Sequence, residues 1–321
     1  MGNSCIKKNL ISPNKNKSDN TNIIFFKPEN ILIDWESEYK TQKYHWWPMR
    51  ENKQDDNINN LYAISGGLGK YDELFNTNSI RYQKNNYFRA KDSLRKDAYW
   101  SGFCNNASIL SCLYKYPKNS VCVYYNKKEI TFTSRDIEAL MIVCSENAIQ
   151  KNISLFFGSR FNDNCDNKNE PYPTEFLKML DIICKQDEPF VMDIDNTEAV
   201  WNYAYDKVIV SKHKTCDLIN LEIDVGNVEY YNFKISSNAY ENHNLDIWGY
   251  INKIEIDKNK KQYKILEEGW IDNNQPDFIW KKFKKEGVWE GKSYINPCID
   301  SSMVYKIYQH SFNEENIRLM L

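Results

Sequence analysis

The sequence predicts an α+β domain in which a helical half precedes a mainly antiparallel sheet. Three patterns carry this expectation. Helical periodicities occur at Cys104, Thr133 and Thr174, alternating apolar residues dominate after residue 188, and a short polar turn joins the last two long alternating segments. Residues 7–22 are Lys, Asn, Ser, Asp and Pro with little apolar content, so 1–27 reads as a disordered tail and 28–321 as the folded domain. An aromatic segment runs from Trp35 to Tyr44-His45-Trp46-Trp47-Pro48. The turn-rich stretch after it ends in Gly66-Gly67-Leu68-Gly69, whose spacing fits neither GxGxxG nor a Walker loop, and it is expected to be a plain loop. From Cys104, Ala107, Leu110 and Leu113 recur every three residues and give one apolar helix face. Thr133-Ser134-Arg135-Asp136 has the form of a capping box, followed by a face of Ile137, Leu140, Met141 and Cys144. Pro171 and Pro173 precede a third helix with Phe176, Met179, Leu180 and Ile183 on one side. Phe190–Ile194 reads as a buried strand. Val228–Ile235, Ile247–Ile256 and Gln262–Trp270 alternate, and Asp257-Lys258-Asn259-Lys260 is a hairpin turn between the last two.

Composition narrows the function classes. The net charge is -2 and the pI about 6.2, which argues against nucleic-acid binding by bulk electrostatics. Lys281-Lys282-Phe283-Lys284-Lys285 is expected to be a solvated basic face. Nine cysteines at irregular spacings, without CxxC, fit a reducing compartment better than a disulfide framework. Neither they nor His45, His213, His243 and His310 fall at zinc-ligand spacing, so no metal or other cofactor is expected. No run of about 20 apolar residues occurs. Gly2, Cys5, Lys7 and Lys8 suit double acylation, but Ile6 stands where the myristoylation motif has Ser or Thr. The expectation is a soluble intracellular chain, membrane-bound only if acylated at Gly2 and Cys5.

Cys104 is the candidate nucleophile. A thiol in the first helical turn faces N–H groups without intrahelical partners and the positive end of the helix dipole, both of which favour thiolate. The competing reading is a buried structural cysteine.

Four segments together resemble the transglutaminase-elicitor family, which includes oomycete cell-wall transglutaminases and bacterial relatives. They are Tyr44-His45-Trp46-Trp47-Pro48 with Lys70-Tyr71-Asp72; Trp100-Ser101-Gly102-Phe103-Cys104-Asn105-Asn106-Ala107; Phe190-Val191-Met192-Asp193 with Ala199-Val200-Trp201-Asn202; and Glu268-Gly269-Trp270 with Gln275-Pro276-Asp277-Phe278-Ile279-Trp280. They span about residues 44–280 in family order. The resemblance implies a papain-like core whose nucleophile helix packs on a sheet. It implies acyl transfer from a protein glutamine to a lysine amine, or to water, through a cysteine thioester. Cys104 would be the nucleophile, Asp193 the carboxylate that orients the base, and Trp100 a residue beside the acyl site.

The chain also departs from the family. Leu177 stands where the resemblance places the base histidine, and Gln275 replaces the histidine of the terminal motif. Asn105-Asn106-Ala107 lacks the family's Gly and Trp after the nucleophile. These departures imply a transglutaminase-like acyltransferase weakened by loss of its base. The alternatives are an inactive relative that binds protein partners, or a thiol peptidase or deamidase on the same core. His213 is a remote substitute for the base. His45 is expected to be a packing residue, and His213, His243 and His310 to lie on the surface. Trp201, Trp270 and Trp280 are expected in the core. Asp193 would serve equally well as a carboxylate that bonds backbone N–H groups.

Overall fold

The computed structural model describes residues 23–25, 31–49, 60–87, 101–146, 155–158, 171–194, 200–214, 216, 228–257, 262–271, 276–281, 289–313 and 318–321. The chain is mixed α and β with antiparallel-rich sheets. The helices are α1 (Gly67–Phe75), α2 (Ser79–Tyr87), α3 (Cys104–Leu113), α4 (Ser134–Cys144), α5 (Pro173–Cys184) and α6 (Ser301–His310). The strands are β1 (Ile23–Phe25), β2 (Ile31–Glu36), β3 (Val121–Tyr125), β4 (Lys128–Phe132), β5 (Leu155–Gly158), β6 (Phe190–Asp193), β7 (Asn202–Tyr205), β8 (Lys207–His213), β9 (Val228–Ser236), β10 (Leu245–Asp257), β11 (Gln262–Trp270), β12 (Phe278–Lys281) and β13 (Leu319–Met320).

Three sheets organise the molecule. The largest has the order β1-β11-β10-β9-β8-β2 and is antiparallel throughout. The second, β5-β12-β6-β7, is antiparallel, and a small third sheet pairs β3 with β4 and β13. The second sheet is the wall between two cores. Val191, Ala204, Phe278 and Trp280 join the cluster around α3 and α4. Phe190, Met192, Tyr205 and Ile279 join the cluster formed with α5 and the large sheet. Side chains alternate along a strand, so both faces of β6 are buried and it cannot show an apolar–polar alternation. The same alternation places Asp193 with Val191, and Asn202 with Ala204, on the side of α3.

The capping box at α4 forms as its sequence implies. Thr133 accepts from the Asp136 N–H, and Asp136 accepts from the Thr133 N–H at 2.8 Å. Ile137, Leu140, Met141 and Cys144 are fully buried, as are Phe176, Leu180 and Ile183 of α5. Pro173 opens α5, where its missing N–H costs nothing.

Four features differ from the sequence expectation. The glycine stretch at 66–69 is the start of a helix, not a loop. A Cβ on Gly69 would lie 1.9 Å from the Ile64 carbonyl oxygen, and one on Gly67 would lie 2.5 Å from that of Asp136, so these glycines serve close packing of α1. Helices α3, from Asn106 to Leu113, and α4, from Asp136 to Cys144, are buried all round instead of on one face; α4 and the second sheet enclose α3. The order is not helices then strands. β1 and β2 form the two edges of the large sheet, and α6 follows the last of its strands. Ile23–Phe25, within the stretch expected to be disordered, pair with Gln262–Lys264 of β11. The rest of the 1–27 tail, with the acylation pattern at Gly2 and Cys5, lies outside the described residues, as do the 258–260 turn and Lys282–Lys285, while Lys281, the first residue of the run expected to be solvated, is buried at the end of β12. No helix among the described residues is long and apolar enough to cross a membrane.

Candidate active site

The start of α3 is built against the aromatic segment. The Phe103 N–H donates to the Trp46 and Trp47 carbonyls at 2.6 and 3.2 Å, and the Met49 N–H to the Ser101 carbonyl at 2.9 Å. Gly102 makes this approach feasible, since a Cβ there would lie 2.1 Å from Cε3 of Trp46. The Trp46 ring meets Trp201 edge-on, with centroids 5.5 Å apart.

Cys104 is the first residue of α3, so the N–H groups of its first turn have no intrahelical partner. Its thiol donates to the Val200 carbonyl (3.4 Å) and receives the Asn202 side-chain amide (Nδ2 to Sγ 3.7 Å). Asn202 is held on three sides. The Trp280 indole N–H donates to its Oδ1 at 2.8 Å, and the Ser108 hydroxyl donates to its carbonyl at 2.6 Å. In register it is paired with Asp193. Asp193 is fully buried; its Oδ1 accepts the Trp201 N–H at 3.0 Å and its backbone carbonyl accepts the Asp277 N–H at 3.0 Å. Cys104 and Asp193, distant in sequence, are thus brought to one neighbourhood, and Asp193 makes the backbone bond that its structural reading supplies.

Burial pushes the Cys104 thiol up from its ordinary range, the Asp193 charge adds to this, and N–H groups of Asn202 and Asn105 oppose it. The Asn105 N–H in the first turn of α3 favours thiolate, and desolvation outweighs it.

Cys104 opens on a cleft of about 730 Å³. Its walls are aromatic, from Tyr44, Trp46, Tyr116, Trp201, Tyr203 and Tyr240, and Arg135, His45 and His243 also line it. The 45–47 segment is fixed from below by Glu138 of α4, a buried carboxylate. It accepts the His45 backbone N–H at 2.5 Å and the Tyr116 hydroxyl at 3.1 Å, and it pairs with Arg135. The Arg135 guanidinium lies over the Trp47 ring, 4.4 Å from its centroid. His243 stacks on Tyr203 with centroids 4.0 Å apart.

Both histidines of the cleft have their pKa lowered. Burial, then the Arg135 charge, pushes His45 down to about 4, and burial also lowers His243. The consequence for His45 is a pH-dependent stability. The unfolded chain takes up a proton near 6.5 and the folded one only near 4, so stability is full above the first value and falls as pH drops between them. The expected loss is roughly 2 kcal/mol, allowing for the ring's partial exposure. Denaturant unfolding at pH 7 and pH 4.5 checks this. His45→Asn should flatten the difference, and an unchanged slope in that variant would refute it.

The structure redistributes the other expected site residues. Leu177 packs into the core between α5 and the large sheet, away from the cleft lining, so a histidine at this position would not face Cys104. His213 is bonded to Ser211 on β8 and packs on Trp248, again outside the cleft. His45 and His243, expected as a packing residue and a surface residue, both line the cleft. Trp201, expected in the core, is one of its walls, whereas Trp280 is buried. Asn106 is buried and donates to the Ile142 carbonyl, Ser145 and Glu146, tying α3 to α4. Trp100 and Gln275 lie outside the described residues. The sequence offered one hint to Asn202, its place beside Trp201 in the motif, and none to His243. Among the described residues no three His, Cys, Asp or Glu side chains are gathered as a metal site. Cys104, Cys112, Cys122, Cys144, Cys184, Cys216 and Cys298 are free thiols. No protein-family model, no curated protein and no solved structure matches the chain.

Proposed function

We propose that this chain is a cysteine acyltransferase of the transglutaminase-elicitor type on a papain-like core. The observation that carries the reading is the placement of Cys104. Its sulfur lies at the first position of an enclosed helix, at the floor of an aromatic cleft, with an amide donor from the neighbouring strand. The division into a helical core around α3 and a second core under an antiparallel sheet supports the papain-like part.

The chemistry follows from these groups. A base takes the thiol proton, and the sulfur attacks the carboxamide carbon of a glutamine side chain. The C–S bond forms and the carbonyl electron pair moves to oxygen, where the Asn202 amide and the open N–H groups of α3 meet it. The pair returns, the C–N bond breaks, and the nitrogen takes a proton and leaves as ammonia. A lysine amine then attacks the thioester and gives up a proton as the C–S bond breaks. Water in its place yields glutamate, which makes the deamidase the same enzyme with a different acceptor. His243 is the residue assigned to carry the proton. It lies on Tyr203, next to Asn202 in the chain; burial lowers its pKa as it does that of His45, but without the Arg135 charge that helps push His45 to about 4.

Incubation with a glutamine-containing protein and a fluorescent primary amine tests this. Covalent incorporation with ammonia release is expected, reduced about 10²- to 10⁴-fold by His243→Ala. Turnover unaffected by His243→Ala would remove that residue from the mechanism. Absence of both incorporation and ammonia release would favour the second reading, an inactive relative that uses the cleft to bind protein. The raised Cys104 thiol is the observation on that side.

A further inference from the structure

We propose that Asn202 is the donor that meets the reacting sulfur and the developing oxyanion, and that Trp280 is the positioning residue that fixes which end of its amide faces Cys104. An amide has two ends of similar shape and opposite hydrogen-bonding sense, and only the N–H end can stabilise negative charge. The indole N–H of Trp280 is donor-only, and it lies 2.8 Å from one end of the Asn202 amide. That end must be the oxygen. The other end, 3.7 Å from Sγ, is therefore the NH2 group, independently of how the amide is drawn.

The rest of the surroundings keep Asn202 from turning away. Its carbonyl holds the Ser108 hydroxyl of α3, its strand partner is Asp193, and its side chain is buried on the α3 face of the second sheet. Trp280 is buried too, on β12, in the core shared with α3. The arrangement is a relay from β12 through β7 to the first residue of α3. Burial and the Asp193 charge both disfavour a thiolate here, so the donors around the sulfur set how much thiolate forms.

The assignment of the oxyanion role rests on the acyltransfer reading, but the donor role at sulfur does not, and the test uses the thiol alone. The pH dependence of Cys104 alkylation by iodoacetamide, followed by mass spectrometry on the full chain, reports the thiol's apparent pKa. In Asn202→Ala the midpoint is expected about one pH unit higher, close to a tenfold lower rate on the acidic limb. In Asn202→Asp, which keeps the Trp280 bond but turns an oxygen towards sulfur, it is expected higher still. Trp280→Phe should shift it in the same direction, and adding Trp280→Phe to Asn202→Ala should add nothing, since Trp280 acts through Asn202. Thermal midpoints identify any variant that fails to fold. The Asn202 pair alone still decides the donor role if Trp280→Phe does not fold. An unchanged midpoint in folded Asn202→Ala, labelling of native Cys104 only after unfolding, or fully additive shifts in the double variant would overturn the proposal. Shifts as described in a chain that transfers no acyl group would remove the enzyme reading and leave the donor pair standing.

Discussion

Cys104→Ala is expected to abolish amine incorporation and ammonia release while leaving the fold in place. If the reaction runs through a thioester, no other group in the cleft supplies the electron pair that forms it. The loss should be about 10⁴-fold or more, down to assay background. The structural cost should be small. The thiol makes one donor contact, to the Val200 carbonyl, and one acceptor contact, from Asn202. Losing them costs about 1–2 kcal/mol, a shift of a few degrees in thermal midpoint. Fluorescent-amine labelling and a melting curve on the same preparation separate the two effects. Turnover that survives in a folded Cys104→Ala protein would end the nucleophile assignment. The binding-module reading makes the opposite forecast for Cys104→Ala, namely full retention of partner binding.

Glu138→Ala is expected to be the most destabilising substitution in the cleft's support. Glu138 is fully buried at the point where α4 meets the 45–47 segment. Removing its carboxylate strands the His45 N–H and the Tyr116 hydroxyl and leaves Arg135 without its partner in the ion pair. Stranding donors that stay largely buried costs about 1–3 kcal/mol each, less for Arg135, whose side chain is 26% exposed and keeps its place over Trp47. The carboxyl's own pKa is raised, mainly by burial, so the expected loss comes from the stranded donors and not from a favourable charge on Glu138 itself. Glu138→Gln, which keeps an acceptor oxygen, should therefore lose clearly less than Glu138→Ala. Equal losses in urea denaturation would show that the charge, not the acceptor, is what matters. Trp46 follows His45 in the chain, so Glu138→Ala should also loosen the wall over Cys104 and weaken any cleft activity beyond the loss of folded protein.

Elements with a local code were legible in the chain itself. Thr133 and Asp136 bond within one turn, so the start of α4 is written in adjacent residues, and the buried face of α5 follows from spacing, whereas α4 is buried on every side from Asp136 to Cys144. Strand β10 keeps its alternation in burial, with Leu245, Ile247, Gly249, Ile251 and Lys253 buried between more exposed neighbours, whereas β9 buries four successive residues, Tyr230 to Phe233. Cys104 was legible as a helix start, and Phe190-Val191-Met192-Asp193 as a buried strand. The glycines before Lys70 misled because their reason lies outside the segment, in the Ile64 and Asp136 carbonyls that leave no room for a Cβ. The base position misled in the same way. Leu177 was matched by order along the chain, but α5 turns that face to the large sheet.

Local patterning thus marked three of the helices, four of the strands and the thiol that begins α3, and it passed over α1, α2, α6 and the remaining strands. Which groups surround that thiol, and which line its cleft, follows only from the packing of distant segments. His45 comes from before α3, Asn202 and His243 from well after it, and Trp280 from a later strand still. Backbone hydrogen bonding and side-chain period act over a few residues, so they leave local signatures. Convergence of side chains from distant segments depends on how whole sheets and helices pack, and no short stretch records it. Burial makes the same point at Cys104: the helix start favours thiolate, and the enclosure of α3 decides against it.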